Sequence, residues 1–229
     1  MREAVLACIA LLSLPACNSR ETATARLAAT GAAGTAGAAS TALDGPAVPA
    51  PSVPQVSKWV IDPENSSAGF VCKHVFTNVR GMFPQPSGTV TLDEATPGGS
   101  KVDATIDASL ITTGVEERDT HLKSADFFNV AVYPTIAFVS TSVVKSSATV
   151  YLVTGNLAMH EVSKPVTLAV TVSAPFEHAG GIRRGIEATT SVNRKDFGLV
   201  WEYPGEGPGI VVGDNITITI DAELVLQAD

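Results

Sequence analysis

Three short segments of this chain carry side chains capable of chemistry: Cys72 with His74, Arg118-Asp119 with His121, and His160. Hydrolases of the α/β type place their nucleophile in a Gly-x-Ser-x-Gly turn, and no such turn occurs in the sequence. Cys72 has no evident activating partner in the sequence that would make its thiol a nucleophile. We therefore predict that the protein is not an enzyme.

The histidines are too far apart in sequence for a dedicated metal site. Zinc sites usually draw two ligands from positions a few residues apart, and no two of His74, His121 and His160 have that spacing. The glycines form no phosphate-cradling loop ahead of a helix. We predict no metal and no cofactor.

His74 is a candidate for contact with the head group of a ligand. It alternates with Phe70, Cys72 and Phe76, so the four side chains share the predicted inner face of one strand. The alternative, which we favour, is a structural histidine of the core with a backbone partner.

Arg118 is a candidate for binding a phosphate, because a guanidinium can make two parallel hydrogen bonds to phosphate oxygens. The alternative, which we also favour, is an ion pair of Arg118 with Asp119 and neighbouring loops. His121 lies in the same segment and is a further candidate ligand contact.

From Lys58 onward apolar and polar residues alternate, and this pattern predicts the strands that would position these side chains. Isoleucines between 216 and 224 alternate with threonine and acidic residues, which is typical of a strand with one covered and one wet face. About eight such strands can close into an antiparallel barrel without exposed edges, although a two-sheet sandwich has the same periodicity. Besides strands around 70–76, 102–109 and 216–224, the pattern predicts strands at 88–93, 135–145, 148–158, 165–174 and 185–194.

Residues 112–132 break the alternation. The stretch from Glu116 to Leu122 favours a helical turn, and Ser124 is a suitable cap for a second short helix that would end before Tyr133-Pro134. We predict a short helical excursion between two strands that lies over or beside the mouth of the barrel.

The N-terminus resembles a bacterial lipoprotein signal. Residues 4–17 form an apolar run behind Arg2 that is too short to span a bilayer and ends in Leu14-Pro15-Ala16-Cys17. We predict that residues 1–16 are removed, that Cys17 is lipidated, and that the protein is anchored to the outer membrane in the periplasm. Cleavage by the ordinary signal peptidase and retention of the run as an uncleaved anchor are the alternatives.

Composition divides the rest of the chain into a linker and one domain. Residues 17–57 are dominated by Ala, Thr, Ser, Gly and Pro, which bury too little surface to offset the entropy of ordering, so a disordered tether is predicted. Residues 58–229 form the predicted domain, in which Cys72 is the only cysteine, so no internal disulfide is expected. The net charge of −8 argues against a nucleic-acid partner.

Several stretches of the domain form a distinctive ordered set. They read Trp59-Val60-Ile61-Asp62-Pro63, Val79-Arg80-Gly81-Met82-Phe83, Arg118-Asp119-Thr120-His121-Leu122-Lys123-Ser124-Ala125-Asp126-Phe127-Phe128-Asn129-Val130, Gly155-Asn156-Leu157-Ala158-Met159-His160-Glu161 and Arg194-Lys195-Asp196-Phe197-Gly198-Leu199. Together they resemble the YceI-like family of bacterial periplasmic proteins; Ala158 and Glu161 depart from it, since threonine and glycine are usual there. The resemblance implies an eight-stranded, lipocalin-like barrel with an amphiphile, typically a polyisoprenoid, in its interior.

An apolar tunnel would suit such a ligand, since removing apolar surface from water is worth roughly 25 cal/mol per Å². The same side chains could equally fill a core, and for any single phenylalanine that alternative stays open. The candidates for the wall are Phe70, Phe76, Phe83, Phe127, Phe128, Ile136 and Phe138.

Three functions remain open at this point. The first is a carrier of a polyisoprenoid, quinone or fatty-acid-like lipid. The second is an accessory scaffold whose lid surface, around residues 127–139, binds a protein partner. The third is an enzyme acting on a bound quinone or lipid, with His74 as its candidate polar group. Association of two chains as a homodimer is compatible with each of them.

Overall fold

The computed structural model describes residues 50–178, 180–202 and 212–228, which belong to one compact unit that begins at Val48. The predicted signal, Cys17 and the predicted linker up to residue 49 lie outside the described residues. No helix in the described part of the chain is long and apolar enough to cross a membrane.

Strands make up most of the described residues, with one α-helix, α1 (Glu116–Lys123), and short 3₁₀ turns at Pro97–Gly99, Ala108–Leu110 and Arg194–Phe197. In chain order the strands are β1 (Val56–His74), β2 (Thr77–Pro84), β3 (Ser87–Asp93), β4 (Lys101–Asp107), β5 (Thr135–Lys145), β6 (Val150–Met159), β7 (Val162–Val172), β8 (Phe176–His178), β9 (Gly181–Asn193) and β10 (Val212–Leu226).

The strands form one closed antiparallel barrel. Around the ring the order is β1, β3, β4, β5, β6, β7, β9 and β10, and β10 closes it by pairing with both β9 and β1. This confirms the predicted eight-stranded barrel and excludes the two-sheet sandwich. A closed ring has no free strand edge along which another chain could pair.

The two remaining strands, β2 and β8, each share a position in the ring with another strand. β2 pairs with the second half of β1, and β3 pairs with its first half. Between β2 and β3, Pro84 and Pro86 flank Gln85, whose φ of 58° is left-handed. Because proline has no N–H for the ladder, the strand breaks at this point. In the same way β8 follows β7 along the side of β9.

The observed strands lie close to the predicted ones. β3, β5, β6, β7 and β9 correspond to the segments predicted from periodicity, because the barrel buries one face of each strand. β1 begins two residues before the predicted domain boundary, since Val56 and Ser57 pair with Asp93 and Leu92 of β3.

The helix α1 confirms the predicted excursion between β4 and β5, but the second short helix predicted from Ser124 is wrong. The backbone N–H and the hydroxyl of Ser124 both donate to the carbonyl of His121, and turns follow up to residue 132. The hydrogen bonds of Ser124 therefore close α1 instead of starting another helix.

The two ends of the barrel are covered by different parts of the chain. At the end where β1 begins, which we call the closed end, Trp59 and Leu224 are fully buried in a small apolar cluster. Arg184 stacks on the Trp59 ring, 5.3 Å from its centroid, and pairs with Glu94.

The opposite end of the barrel, where β1 turns into β2, carries α1 and the residues after β9; we call it the lid end. Trp201 joins these two parts of the lid end through its contact with α1.

Asp119 organises the loop that leads into α1. Its carboxylate accepts hydrogen bonds from the Thr113 N–H at 2.7 Å, from the Thr113 hydroxyl, and from the Thr112 hydroxyl at 3.0 Å. Burial raises the pKa of Asp119, but these hydrogen bonds lower it more, so its pKa lies below the ordinary 3.8. Thr112 also forms two backbone hydrogen bonds with Met82 of β2. Ionised Asp119 thus ties α1 to the barrel wall.

Replacing Asp119 with asparagine should destabilise the fold by roughly 1–3 kcal/mol at neutral pH, because the donors of Thr112 and Thr113 lose a charged acceptor. Because the folded-state pKa is lowered, this stabilisation is present above the unfolded-state pKa and is lost as the pH falls through the folded-state value. The difference in melting temperature between the two proteins, measured by circular dichroism, should therefore narrow as the pH falls below about 4, the ordinary pKa of an aspartate in an unfolded chain.

The control for this prediction is Asp126→Asn, which removes an exposed carboxylate paired with His121. It should change the free energy of unfolding by less than about 1 kcal/mol. A difference between wild type and Asp119→Asn that is equally large in acid would show that Asp119 does not act through its charge.

Candidate ligand-binding cavity

A cavity of about 290 Å³ lies inside the barrel and extends from the lid end to the closed end. Every ring strand contributes to its wall, with Leu122 of α1 and Phe127 at the lid end and Ile61 and Leu224 at the closed end. Almost all of the lining side chains are aliphatic or aromatic. Ligand pockets begin at about 300 Å³, so the barrel leaves space on the scale of a bound molecule that its own side chains do not fill.

Four polar side chains on the wall, those of Cys72, Ser100, Thr190 and Arg194, already have hydrogen-bond partners within the protein, and the Tyr151 ring lies 5.4 Å from the Lys145 ammonium. Ser100 accepts a hydrogen bond from a backbone N–H of β3, and Thr190 donates one to a carbonyl of β7. Cys72 donates to a carbonyl of β10, and burial raises the pKa of its thiol. In the described residues, the buried side-chain atoms without a partner are the Nε atoms of Arg183 and Arg184, and neither residue lines the cavity. The wall therefore suits an apolar guest.

Arg194 is the charged residue of the described wall, and it was not identified as a site residue from the sequence. It is buried, and each of its five N–H groups has an acceptor. The acceptors are the carbonyls of Leu199, Trp201, Val212 and Gly213 and the carboxylate of Asp214. Arg194 thus joins the residues after β9 to the start of β10 and has no donor left for a ligand phosphate. The only sequence signal for this role of Arg194 is a basic residue that directly follows an alternating strand.

Six of the predicted wall residues line the cavity. Three of their rings are in contact: Phe83 lies 5.8 Å from Phe70 and 5.5 Å, edge to face, from Phe128, measured between ring centroids. Their position on the wall agrees with the prediction, and contact with a ligand stays a prediction. The six are Phe70, Phe83, Phe127, Phe128, Ile136 and Phe138.

The inner-face position predicted for His74 and Phe76 is wrong. β1 ends at His74, and Val75 adopts a left-handed φ of 45°, so the strand alternation stops at the hairpin turn. Phe76 is 91% exposed, and His74 is exposed as well. Neither lines the cavity, and the alternative of a core histidine at position 74 is also wrong.

Arg118 and His121 lie in the lid and not on the cavity wall. Arg118 donates from Nε to the Thr113 hydroxyl at 2.7 Å and from a terminal nitrogen to the Thr113 carbonyl at 3.3 Å, so it serves the neighbouring loop. His121 pairs with Asp126 at 2.9 Å and packs edge-on against Trp201. Within the described ranges, no three His, Cys, Asp or Glu side chains are grouped so that they could hold a metal ion.

Two wall phenylalanines are seated on glycines of a neighbouring strand. A methyl group at Gly81 would come within 2.4 Å of the Phe70 ring, and one at Gly155 within 2.5 Å of the Phe138 ring. Gly81 stands directly opposite Phe70 in the β1–β2 ladder. Glycine lets each ring lie close against the backbone of the next strand, which leaves room inside the barrel.

Comparison with known proteins identifies relatives of the chain. A family model described as the YceI-like domain matches residues 59–224. Protein YceI of Salmonella arizonae is 38% identical over 166 residues, which cover 68% of this chain and 83% of that protein. The crystal structure of Burkholderia cenocepacia BcnA has a TM-score of 0.62 at 23% identity, over 71% of this chain and 98% of that one. A polyisoprenoid binding domain from Saccharophagus degradans has a TM-score of 0.56 at 14% identity, over 75% of this chain and 99% of that one.

Replacing Gly81 with alanine should push the Phe70 ring toward the cavity, because the new Cβ would overlap that ring and the Thr113 side chain. We expect a loss of roughly 1–3 kcal/mol in the free energy of unfolding, measured by urea denaturation. Gly98→Ala is the matched control, since a methyl group there meets nothing within 4 Å, and it should stay within about 0.5 kcal/mol of wild type. Equal stabilities of the two variants would show that Gly81 does not seat the ring.

Proposed function

The chain belongs to the YceI-like family, and we propose that it binds one long apolar lipid chain inside its barrel. The observation that carries this proposal is the apolar cavity between the lid end and the closed end. A polyisoprenoid, the isoprenoid tail of a quinone or a fatty-acid-like chain has the matching chemistry.

The energetics of such binding are those of apolar surface leaving water, worth roughly 25 cal/mol for each Å² that is buried. Specificity along the chain should be low, because no wall side chain distinguishes one methylene or isoprene unit from the next. Cys72, Ser100, Thr190 and Arg194 of the wall form hydrogen bonds within the protein, and Trp59 fills the closed end. We therefore expect the head group of the lipid at the lid end, where it avoids unpaired burial.

The structural neighbour from Saccharophagus degradans makes a polyisoprenoid the first ligand to test, since its described role is polyisoprenoid binding. At 14% identity that likeness is one of fold, so the choice of ligand rests on the cavity chemistry of this chain as well. A polyisoprenoid offers a long, wholly apolar tail, which this wall accommodates without a polar contact.

The described residues give less support to the two other functions predicted from the sequence. In the stretch 127–139, which the scaffold function requires to be apolar and exposed, Phe127, Ile136 and Phe138 are buried on the cavity wall, and only Val132 and Val139 are exposed as large apolar side chains. An enzyme acting on a bound lipid requires a polar group inside the cavity, and the predicted one, His74, lies outside it. Binding without catalysis stays our prediction.

We place this binding protein in the periplasm, anchored to the outer membrane through Cys17. The proposal rests on the apolar run that ends in Leu14-Pro15-Ala16-Cys17, outside the described residues. A carrier in that aqueous compartment would shield an insoluble lipid from water.

A Cys17→Ser variant tests the anchor, because serine offers no thiol for lipid attachment. It should move from the membrane fraction to the soluble fraction when cell envelopes are separated by centrifugation. A Cys8→Ser variant, which alters the other cysteine of the N-terminal segment, should still sediment with membranes. Continued sedimentation of Cys17→Ser would contradict lipidation at this position.

Filling the cavity from within tests the proposed binding. Ala188 is buried on the cavity wall, whereas Thr189, the next residue of β9, is exposed on the outer face. Ala188→Phe should abolish lipid binding because the new ring occupies the space of the ligand, and Thr189→Phe should not. We would purify the wild type and both variants from the native host and record native mass spectra before and after organic extraction.

The proposal predicts an extractable adduct of several hundred daltons on the wild type and on Thr189→Phe, and none on Ala188→Phe. Circular dichroism of the variants should match that of the wild type, which shows that the loss is not due to unfolding. A bare polypeptide mass for the wild type, unchanged by added polyprenol, quinone and fatty acid, would contradict lipid binding.

A further inference from the structure

We propose that the lid end docks transiently on a lipid bilayer through two exposed apolar points: the hairpin tip, formed by Val75 and Phe76, and Val200. The proposal rests on the proposed function, because docking gives an insoluble lipid a path between a membrane and the cavity.

The hairpin tip projects beyond the β1–β10 ladder. β1 and β2 remain paired up to His74 and Thr77, so Val75 and Phe76 form a two-residue turn. The pairing of β1 with β10 ends at His74 and Val212. Val75 has a left-handed φ of 45°, which is unusual for a β-branched residue, and Phe76 is 91% exposed. A strained turn that presents a phenylalanine to water costs folding free energy, and a binding role accounts for it.

Val200 lies at the same end, directly beside the cavity. It is 61% exposed, whereas the preceding Leu199 is buried and lines the cavity. Arg194 binds the carbonyls on both sides of Val200, those of Leu199 and Trp201. The same guanidinium binds the carbonyl of Gly213, at the start of the strand that pairs with the end of β1. These bonds fix Val200 and the end of β1 to one rim of the barrel.

The form of these two points favours a bilayer over a protein. A stable protein interface buries about 800 Å² on each partner, whereas single projecting apolar side chains insert readily at the boundary between head groups and acyl chains. Near Val200, the charge of Lys195 is compensated by Glu202 and Asp214. At the hairpin tip, the ammonium of Lys73 donates to the carbonyl of Phe76 and keeps its charge, and a single lysine adds only about 1 kcal/mol of attraction to anionic lipid. We therefore expect docking on zwitterionic lipid, without a requirement for anionic head groups.

The two tryptophans of the chain report on the two ends separately. Trp59 is fully buried at the closed end, and Trp201 packs against His121 and Phe127 at the lid end. Brominated acyl chains quench a tryptophan only at close range, so docking through the lid end should quench Trp201 and leave Trp59 unaffected.

The experiment is to incubate the full-length protein with phosphatidylcholine vesicles that carry brominated acyl chains and to measure tryptophan quenching. We expect clear quenching of the wild type, loss of most of it in Phe76→Ser, and none in Trp201→Phe, which assigns the signal. Phe176→Ser is the matched control, since it removes a phenylalanine that is 46% exposed on β8 near the closed end, and it should be quenched like the wild type. Absence of quenching in the wild type, or equal quenching of Phe76→Ser, would overturn the docking proposal.

Lipid uptake separates this proposal from the proposed function. Phe76→Ser should hold the same lipid adduct at equilibrium as the wild type in native mass spectra. It should take up a polyprenol from donor vesicles at least about ten-fold more slowly, which is the lower bound expected for the loss of one buried phenylalanine side chain in the docked state. Equal uptake rates of the two proteins would contradict docking and leave lipid binding in place. Absence of the adduct from the wild type would contradict lipid binding, whereas docking is judged by the quenching measurement.

Discussion

The rest of this structure depends on one constraint: a ring of eight hydrogen-bonded strands has a fixed circumference, and here the enclosed side chains do not fill it. Trp59 and Leu224 fill the closed end. Farther along, two of the largest wall rings, Phe70 and Phe138, lie against glycines of neighbouring strands, so that they line the cavity without blocking it. The barrel is held together by its backbone ladder, by its rim and by the packing of neighbouring wall side chains on one another, which leaves the centre open to an apolar guest.

Three charged residues at the lid end, Arg118, Asp119 and Arg194, use their hydrogen bonds within the protein. Arg194 uses all of its donors on the two chain segments that flank residues 203–211. Asp119 and Arg118 both bind Thr113 in the loop before α1, and a backbone pair joins this loop to β2. Because these groups are satisfied within the protein, the interior needs no polar ligand to compensate a buried charge.

Much of the fold could be predicted from the sequence, because every ring strand has one wet and one covered face and therefore a period of two. The same rule placed His74 and Phe76 wrongly, since periodicity does not show where a strand ends in a turn such as that at Val75. Arg194 opens one of the family-like stretches, but its place on the cavity wall could not be predicted because a buried arginine and an exposed one look alike in sequence. Gly81 lies within a family-like motif, but the sequence does not explain why a glycine stands there. The reason is the Phe70 ring opposite, and this contact follows only from the register of β1 and β2.

The most direct test of a lipid inside the barrel is a nuclear Overhauser measurement between an unlabelled polyprenol and isotope-labelled leucine methyl groups of the full-length protein. Leu122 lies on the cavity wall at the lid end, Leu224 lies on it at the closed end, and Leu152 is exposed on the outside. We predict contacts from the same ligand to Leu122 and Leu224 and none to Leu152. Contacts to Leu152 alone, or no contact to either wall leucine, would contradict a lipid chain bound within the barrel.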